Sequence, residues 1–558
     1  MRNRSVFHKS VVAYLGQGFL KRQSLSNFNE IASPTMVEQG QFPRTLWILP
    51  LLLMTSLLFL FPQWTVDDAF ISYRYGRNFL ATGDWVWNVG ESRVEGFTGY
   101  FLPMLAALFI KMGVGLESAF RWMGVLATLL SLVMLGEIVR ALKINAWIGF
   151  VMLMVFCLQP WVYVHAGSGL ETAVFMASVC LHLRVLAGIR SGSPTWWQGM
   201  AWVLTAMLAA WIRPEGLLLA MASLLAGVWI SKGSRKAWLV SGAVFLLIAG
   251  VAQAWRIEYF GSLWPQSVLA KEYAGWFNPD SIKEMIRFFS LHLAIPGALV
   301  LALGWVEVDG SGTSNQPFMQ TRRKILLVLA GAYSVPSILV YGHSHLFMNY
   351  AGRFFVPMMV LGLVGLACVA DWGWVRFHET RTTKPLRWKW AKVLAVILLL
   401  VQSGILVAKW RSEWSWVRRY SAIMEHEYKP VAEAIRTRMR EGDRIICYMD
   451  AGVIPYITAA QTTDFGRLNE PRLSRLEAGS PEAVDYFFEQ EARFVVFTSF
   501  FEDRYVYLEE AHAIQADPRF ANFRLLAVFS APGVTDYFQF LFERVELSPV
   551  SVTEDPAT

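Results

Sequence analysis

The amino-acid sequence predicts a polytopic α-helical membrane protein that ends in a small α/β domain. Composition is the first reason, because 55% of the 558 residues are hydrophobic and only 17% are charged, whereas average soluble domains are about 25% charged. The second reason is that apolar runs of roughly 17–23 residues, long enough to cross a bilayer, recur about eleven times. This pattern excludes a soluble enzyme, a disordered chain and a disulfide-stapled secreted domain.

A polar and basic arm at 1–45 precedes the first apolar run, and it is too long and too polar for a cleavable signal peptide. We expect this arm to be cytoplasmic. The transmembrane domain is predicted at 46–411, with spans at about 46–62, 118–140, 146–164, 172–189, 197–212, 215–231, 237–256, 288–306, 325–341, 354–371 and 391–409.

Lysine and arginine set the orientation of these spans. With the N-terminus inside, the inside segments carry 20 of these residues and the outside connections carry 9, which is the bias expected of membrane proteins. The net charge is +16 up to residue 411 and −9 from residue 412, and these sum to +7. The basic excess therefore belongs to the membrane part and predicts no nucleic-acid partner.

An α/β domain on the outside is predicted at 412–550, and the last residues, 551–558, are predicted to be frayed. Helical stretches near 429–440 and 481–491 stand before or between four apolar runs rich in β-forming residues. These runs are Arg444–Met449, Arg493–Phe497, Leu525–Phe529 and Phe538–Phe542. Of the four cysteines, three lie in apolar spans and Cys447 stands alone in the tail, so no disulfide or cysteine metal site is expected.

The first outside loop, 63–117, opens with an acidic pair, Asp67 and Asp68, directly after a predicted span. An amphipathic helical stretch follows, with Arg74 and Arg77 one turn apart. One carboxylate could act as a general base at the membrane surface, where a lipid-borne substrate arrives. The pair could instead cap the helix that follows. Spacing alone leaves both interpretations open.

More ionisable residues stand in other connections on the same side. Glu95 lies in a glycine-punctuated loop that could line a sugar pocket or form a turn with a local ion pair. Glu171 heads a span, either as a first-turn helix acid or as a site residue. Arg213 and Glu215 lie on either side of Pro214 in an Arg-Pro-Glu-Gly turn, and we expect them to pair with each other across it.

Two basic residues, Lys271 and Arg353, are predicted near the outer bilayer surface. There they could neutralise a phosphate without a metal, or they could snorkel to the interface. His343 and His345 are too few to hold zinc. We expect no required cofactor, although the Asp67–Asp68 pair could hold a divalent cation.

Together, Asp67–Tyr75 and Val94–Thr98 resemble the first periplasmic loop of integral-membrane GT-C glycosyltransferases. The similarity is greatest to the terminal arabinofuranosyltransferases of mycobacteria and their bacterial relatives. Further segments match in order, and they are Gly169–Thr172, Arg213–Gly216, Tyr259–Lys271, Gly352–Pro357, Asp450–Gly452 and Asp464–Leu468. The family more usually ends the last of these with Gly-Leu, whereas here Arg467 intervenes.

The resemblance implies an enzyme of the bacterial inner membrane that moves a sugar, for example arabinofuranose, from a polyprenyl-phosphate carrier to an envelope glycan or protein. In the family an aspartate of the first outside loop is the base. The matching residues are Asp67 and Asp68, and Asp67 is favoured because related families place the catalytic acid first. The substrate-binding candidates are Arg74, Arg77, Glu95, Glu171, Arg213, Glu215, Lys271 and Arg353.

Three other functions are considered. A protein O-glycosyltransferase of the same architecture would differ only in its acceptor. A transporter or flippase of lipid-linked sugars would be expected to keep polar groups near the bilayer midplane, whereas here they lie at the outer boundary. An assembly protein would use the tail to recruit partners.

Overall fold

The structure, a computed structural model, describes residues 44–189, 194–231, 235–271, 276–294, 317–346, 348–380, 385–505 and 509–545. Nearly all of the predicted cytoplasmic arm, most of the span expected at 288–306 and the predicted frayed end fall outside these ranges.

Most of the described chain up to residue 423 is helical. The helices are α1 (Ile48–Leu60), α2 (Asp67–Thr82), α3 (Phe101–Lys111), α4 (Leu116–Ala141), α5 (Ala146–Cys157), α6 (Pro160–Gly167), α7 (Thr172–Gly188), α8 (Trp196–Ile212), α9 (Glu215–Ile230), α10 (Arg235–Phe260), α11 (Gln266–Leu269), α12 (Pro279–Phe289), α13 (Pro317–Gly342), α14 (Val356–Thr380) and α15 (Pro385–Ile423).

Several of these helices have the length and apolarity that a bilayer requires. In the described chain, four segments are singly long and apolar enough to cross a bilayer, and they are Leu116–Ala141, Arg235–Phe260, Lys324–Gly342 and Tyr350–Asp371. Helices α5 and α6 together form a fifth candidate that bends by 53° at its break. Helices α1, α3, α7 and α9 are shorter apolar helices. The protein is thus a polytopic helical membrane protein, and the count of eleven spans stays a prediction.

The predicted domain boundary at 412 falls inside a continuous helix. Helix α15 has 39 residues, and at 1.5 Å per residue it is about 58 Å long. A hydrocarbon layer of about 30 Å cannot contain it, so its C-terminal part extends beyond the bilayer. The α/β tail accordingly begins after α15 rather than at residue 412.

The tail is a five-stranded mixed sheet in the order β2-β1-β3-β5-β4, in which β1 is parallel to β2 and β3 while β5 is antiparallel to β3 and β4. The predicted runs correspond to four of the strands. Strand β2 was not predicted, because Gln-Thr-Thr-Asp contains no apolar residue. The elements are α16 (Lys429–Arg436), β1 (Arg444–Tyr448), α17 (Val453–Thr458), β2 (Gln461–Asp464), α18 (Pro481–Glu489), β3 (Phe494–Ser499), α19 (Glu509–Ala516), β4 (Phe523–Phe529) and β5 (Phe538–Arg544).

One face of this sheet packs on the first outside loop. Side chains alternate between the two faces of a strand, so Ile446 lies in the core of the tail while Ile445 and Cys447 point the other way. There they share a cluster with Tyr75 and Trp87 of the first loop. The loop and the tail therefore form one packed unit at the end of the membrane helices that the sequence predicts to be outside.

Candidate active site

The acidic pair occupies the first turn of α2. Helix α1 ends at Leu60, a short extended segment follows, and α2 begins at Asp67. The backbone N–H of Val66 donates to the carbonyl of Ser168 at 3.0 Å, which ties the start of α2 to the turn between α6 and α7. Because this turn joins two membrane helices, the acidic pair lies at the ends of membrane helices. Carboxylates are also favoured at a helix N-terminus.

Asp67 binds the tail with both carboxylate oxygens. Oδ2 accepts from the N–H of Gly452 at 2.8 Å and Oδ1 from the N–H of Val453 at 2.7 Å, at the start of α17. The Asp67 N–H donates to the Tyr420 hydroxyl at 3.0 Å. Burial and the charge of Asp450 raise the pKa of Asp67, while the two backbone N–H groups oppose that shift. Asp67 thus joins the first loop to the tail.

The contact between Asp67 and the tail requires glycine at residue 452. A Cβ atom at residue 452 would lie 2.0 Å from the backbone oxygen of Asp67 and 2.6 Å from its Oδ2. No side chain fits at that distance, so the close approach of the two backbones requires glycine.

Asp68 faces a pocket instead. Its side chain is 23% exposed, and its Oδ2 lies 3.7 Å from Nη1 of Arg353. Burial raises the pKa of Asp68, and the positive charges of Arg353 and Lys271 act in the opposite direction. Asp68 is therefore the member of the pair that lines the pocket.

Lys271 supplies a second cation to the pocket. Its Nζ lies 5.5 Å from the ring centre of Phe354, and its backbone oxygen accepts from the N–H of His345 at 2.8 Å. Within the described ranges no carboxylate oxygen is placed within 4 Å of Nζ. Burial, together with the charge of Arg353, lowers the pKa of Lys271 to about 8. The ammonium is therefore held in the pocket without a close carboxylate from the described chain.

Buried ion pairs position Arg353. Glu171 Oε1 accepts from Arg213 at 2.7 Å and from Arg353 at 3.0 Å. Arg213 also pairs with Glu215 at 2.6 Å, as the turn sequence predicts, and the Tyr341 hydroxyl donates to Glu215 at 2.6 Å. Burial alone would raise the pKa of Glu171, but the two guanidiniums outweigh it and lower that pKa to about 2. Glu171 is thus an anion that holds Arg353 toward Asp68.

Several separate parts of the chain line the pocket. The first loop contributes Asp68 and Thr98, the membrane turns contribute Glu171, Lys271 and Arg353, and the tail contributes Leu468. Four of the ten residues singled out in the sequence therefore meet here.

Arg74 and Arg77 do not line this pocket and hold the tail instead. The buried guanidinium of Arg74 donates to backbone oxygens of Trp87, Pro455 and Ala460 at 2.5–2.8 Å. Arg77 donates to the backbone oxygen of Tyr456 at 2.5 Å. These hydrogen bonds, several from Arg74 and one from Arg77, hold α2 against the tail.

Glu95 belongs to the wall behind the pocket. Its carboxylate lies 3.0 Å from Nε of Arg256, and its backbone oxygen accepts from the N–H of Gln266. Burial raises the pKa of Glu95 to about 7, although Arg256 opposes the shift. Glu95 thereby fixes the glycine-rich loop against α11, which leads to Lys271.

The sequence did not single out the tail residues that complete the site. Leu468 reaches the pocket because the backbone oxygen of Arg467 accepts from Nε2 of Gln266 at 3.2 Å. Asp450, whose charge raises the pKa of Asp67, accepts from the hydroxyls of Thr498 and Tyr537, both at 2.6 Å. Both residues stand in segments that resemble the family, and that resemblance was the available signal.

The donor set does not fit a divalent metal ion on the acidic pair. Magnesium and calcium take about six or more oxygen ligands, yet both oxygens of Asp67 accept backbone N–H groups and Asp68 faces Arg353. In the described ranges no three His, Cys, Asp or Glu side chains are grouped closely enough to hold a metal ion. The acidic pair therefore offers too few free oxygens to hold a divalent cation.

The sequence matches no protein-family model and no curated protein. Solved structures do match. One is the archaeal oligosaccharyltransferase AglB from Archaeoglobus fulgidus, in complex with an inhibitory peptide and a dolichol-phosphate. The two sequences are 10% identical, the match covers 81% of this chain and 69% of AglB, and the TM-score is 0.51. Another is ArnT from Cupriavidus metallidurans in the apo state. The two sequences are 14% identical, the match covers 89% of this chain and 98% of ArnT, and the TM-score is 0.50.

Arabinofuranosyltransferase AftD from Mycobacteria matches at 14% identity over 91% of this chain and 42% of AftD, with a TM-score of 0.49. At such identities the likeness to AglB and ArnT concerns the fold. The chain shares its fold with AglB and ArnT, as its sequence resemblance to the GT-C glycosyltransferases predicts.

Proposed function

We propose that this protein is a GT-C glycosyltransferase that moves a sugar from a polyprenyl-phosphate carrier to an acceptor hydroxyl on the outer side of the bacterial inner membrane. We further propose that the sugar is a pentofuranose such as arabinofuranose and that the acceptor is a cell-envelope glycan. The fold and the pocket chemistry support the transfer, and the sequence motifs support the choice of sugar.

The observation that carries the proposal is the placement of a carboxylate opposite two cations in one pocket. Asp68 faces Arg353 at 3.7 Å, and Lys271 lines the same pocket. A glycosyl transfer from a phosphate carrier needs these groups, since a base must take up a proton and a leaving phosphate must be stabilised.

The proposed step can be written in full. The acceptor oxygen attacks the anomeric carbon of the donor sugar, and its proton passes to Asp68. The bond between the anomeric carbon and the phosphate oxygen breaks, and the phosphate leaves with the electron pair. Lys271 and Arg353 neutralise the charge that develops on that phosphate, which charge-assisted hydrogen bonds do well.

We assign the base to Asp68 rather than to Asp67, which the family order favours. Both oxygens of Asp67 already accept backbone N–H groups, and its side chain is buried against the tail. Asp68 lines the pocket, and burial raises its pKa toward the range in which a carboxylate is an effective base. Asp67 then positions Asp68 by fixing the start of α2.

The membrane position supports a lipid-borne donor. The pocket lies where α2, the α6–α7 turn and the α8–α9 turn meet, at the ends of the membrane helices. A carrier phosphate would reach this level while its polyprenyl chain stays in the bilayer. AglB, which shares the fold, was solved with a dolichol-phosphate, which belongs to the same class of carrier.

The test is transfer by purified full-length protein in nanodiscs. Labelled polyprenyl-phosphate arabinofuranose and polyprenyl-phosphate hexoses would be offered with cell-envelope glycan fragments and, separately, with peptides. We expect a labelled glycan product from the pentofuranose donor. A labelled peptide would favour the protein O-glycosyltransferase. In sealed proteoliposomes, carrier movement across the bilayer that Asp68→Asn leaves unaffected, together with no product in the transfer assay, would favour the flippase and refute the enzyme.

A further inference from the structure

A cleft with two arginines lies on α15, apart from the proposed active site. Its volume is about 450 Å³, and it is lined by Trp410, Arg411, Trp414, Ser415 and Arg418. The cleft is shallow and open to its surroundings, so a bound group would lie on it rather than be enclosed. None of its lining residues belongs to the pocket of Asp68, so the two sites are separate.

Aromatic contacts place the cleft at the outer edge of the membrane helices. The Trp410 indole N–H donates to the backbone oxygen of Leu158 at 2.7 Å, at the break between α5 and α6. The rings of Trp410 and Trp414 lie 6.0 and 5.6 Å from that of Phe61, which directly follows the end of α1. Trp side chains favour the bilayer interface. The cleft is therefore at the level of lipid headgroups.

The two arginines point to one anion. Arg411 and Arg418 are seven residues apart, so they share a face of α15 and are separated by about 10 Å along its axis. Both are exposed, and in the described chain no carboxylate is placed within 4 Å of either. Nearby cations differ, because Arg419 pairs with Asp536 and Lys429 with Glu425.

Two such arginines outside the membrane oppose the usual charge bias, which places lysine and arginine on the cytoplasmic side. An anionic ligand at the same level removes this conflict. Guanidinium groups bind phosphate in a bidentate manner, and the exposed Phe59 and Leu60 on the neighbouring α1 offer apolar surface to acyl chains. Charge and position together favour a phospholipid with a net negative headgroup.

We propose that this cleft binds the phosphate headgroup of an anionic glycerophospholipid of the outer leaflet, of the phosphatidylglycerol class. Arg411 and Arg418 hold the phosphate and the neighbouring headgroup oxygens, and Ser415 donates between them. Trp410 and Trp414 form the wall on which the glycerol backbone lies. The lipid would fasten α15, and hence the tail that it carries, to the membrane surface.

Native mass spectrometry of the full-length protein, released from bilayers of phosphatidylcholine with added phosphatidylglycerol, tests this proposal. We expect one tightly retained phosphatidylglycerol in the wild type and its loss in Arg411→Gln/Arg418→Gln, with affinity at least about 30-fold lower for two lost charge-assisted contacts. The control Arg438→Gln/Arg475→Gln removes two exposed tail arginines, and it should keep the lipid.

Arg411→Lys/Arg418→Lys keeps both positive charges but loses the bidentate geometry of the guanidinium groups. This variant should therefore retain the lipid with intermediate affinity. Unfolding temperatures in pure phosphatidylcholine would establish that each variant is folded. Equal retention of phosphatidylglycerol by a folded Gln variant overturns the proposal. Equal retention of phosphatidylcholine, or displacement of phosphatidylglycerol by undecaprenyl phosphate, overturns it as well, because the site would then be unselective or belong to the carrier.

Discussion

Asparagine at residue 68 provides the sharpest test of the proposed chemistry. Asp68→Asn keeps the size of the side chain but removes its capacity to take up a proton. Asp68 is partly exposed and its close ionic contact is with Arg353 at 3.7 Å, so the fold should tolerate the change. A positioned base contributes roughly 10²- to 10⁴-fold, which corresponds to about 2.7–5.4 kcal/mol of activation free energy.

The assay is single-turnover transfer at saturating donor, with donor binding measured separately. Asp84→Asn is the matched control, because Asp84 lies in the same loop with its side chain 41% exposed. We expect normal transfer from that control, and from Asp68→Asn at least a hundredfold loss of transfer with donor binding retained. Near-normal transfer by Asp68→Asn would refute its role as the base.

Asp67→Asn separates the two carboxylates. Asparagine keeps one acceptor oxygen, so one of the two buried N–H groups of Gly452 and Val453 loses its partner, at a cost of about 1–3 kcal/mol. We expect a lower unfolding temperature and a tail that is more readily cleaved by protease. A hundredfold loss of transfer by Asp67→Asn at wild-type stability would instead return the role of base to Asp67.

Three further predictions follow from the same contacts. Lys271→Ala should lower kcat/KM for the donor about 10- to 150-fold, as expected for about 1.5–3 kcal/mol of lost transition-state stabilisation, while the acceptor KM stays constant. In a pH profile kcat/KM should fall below the raised pKa of Asp68, where the base is protonated, and above about 8, where Lys271 loses its charge; an unchanged alkaline limb in Lys271→Arg would contradict this. An isolated tail of residues 425–550 should give a mixed α/β circular dichroism spectrum and bind a hydrophobic dye through Ile445 and Cys447; absence of dye binding would contradict the shared core.

Local sequence determined the positions of the elements. Apolar runs place α4, α10 and α14 because each helix must present a hydrophobic surface to lipid along its own length. The β-rich runs place four strands of the tail for the same local reason. Strand β2 could not be predicted, because Thr462 and Thr463 are held by pairing with Ile445 and Ile446 of β1. The local sequence of a strand does not contain the partners with which it pairs.

The candidate site divides in the same way. Sequence brought the acidic pair to the start of α2, and the pairing of Arg213 with Glu215 followed from two residues on either side of a turn. Tertiary structure decided which aspartate meets the pocket. Adjacent helical residues point about 100° apart, so Asp67 faces the N–H groups of Gly452 and Val453 while Asp68 faces Arg353. The contacts between Asp67 and the tail join residues 385 and 386 positions apart, and such contacts form only when the whole chain has folded.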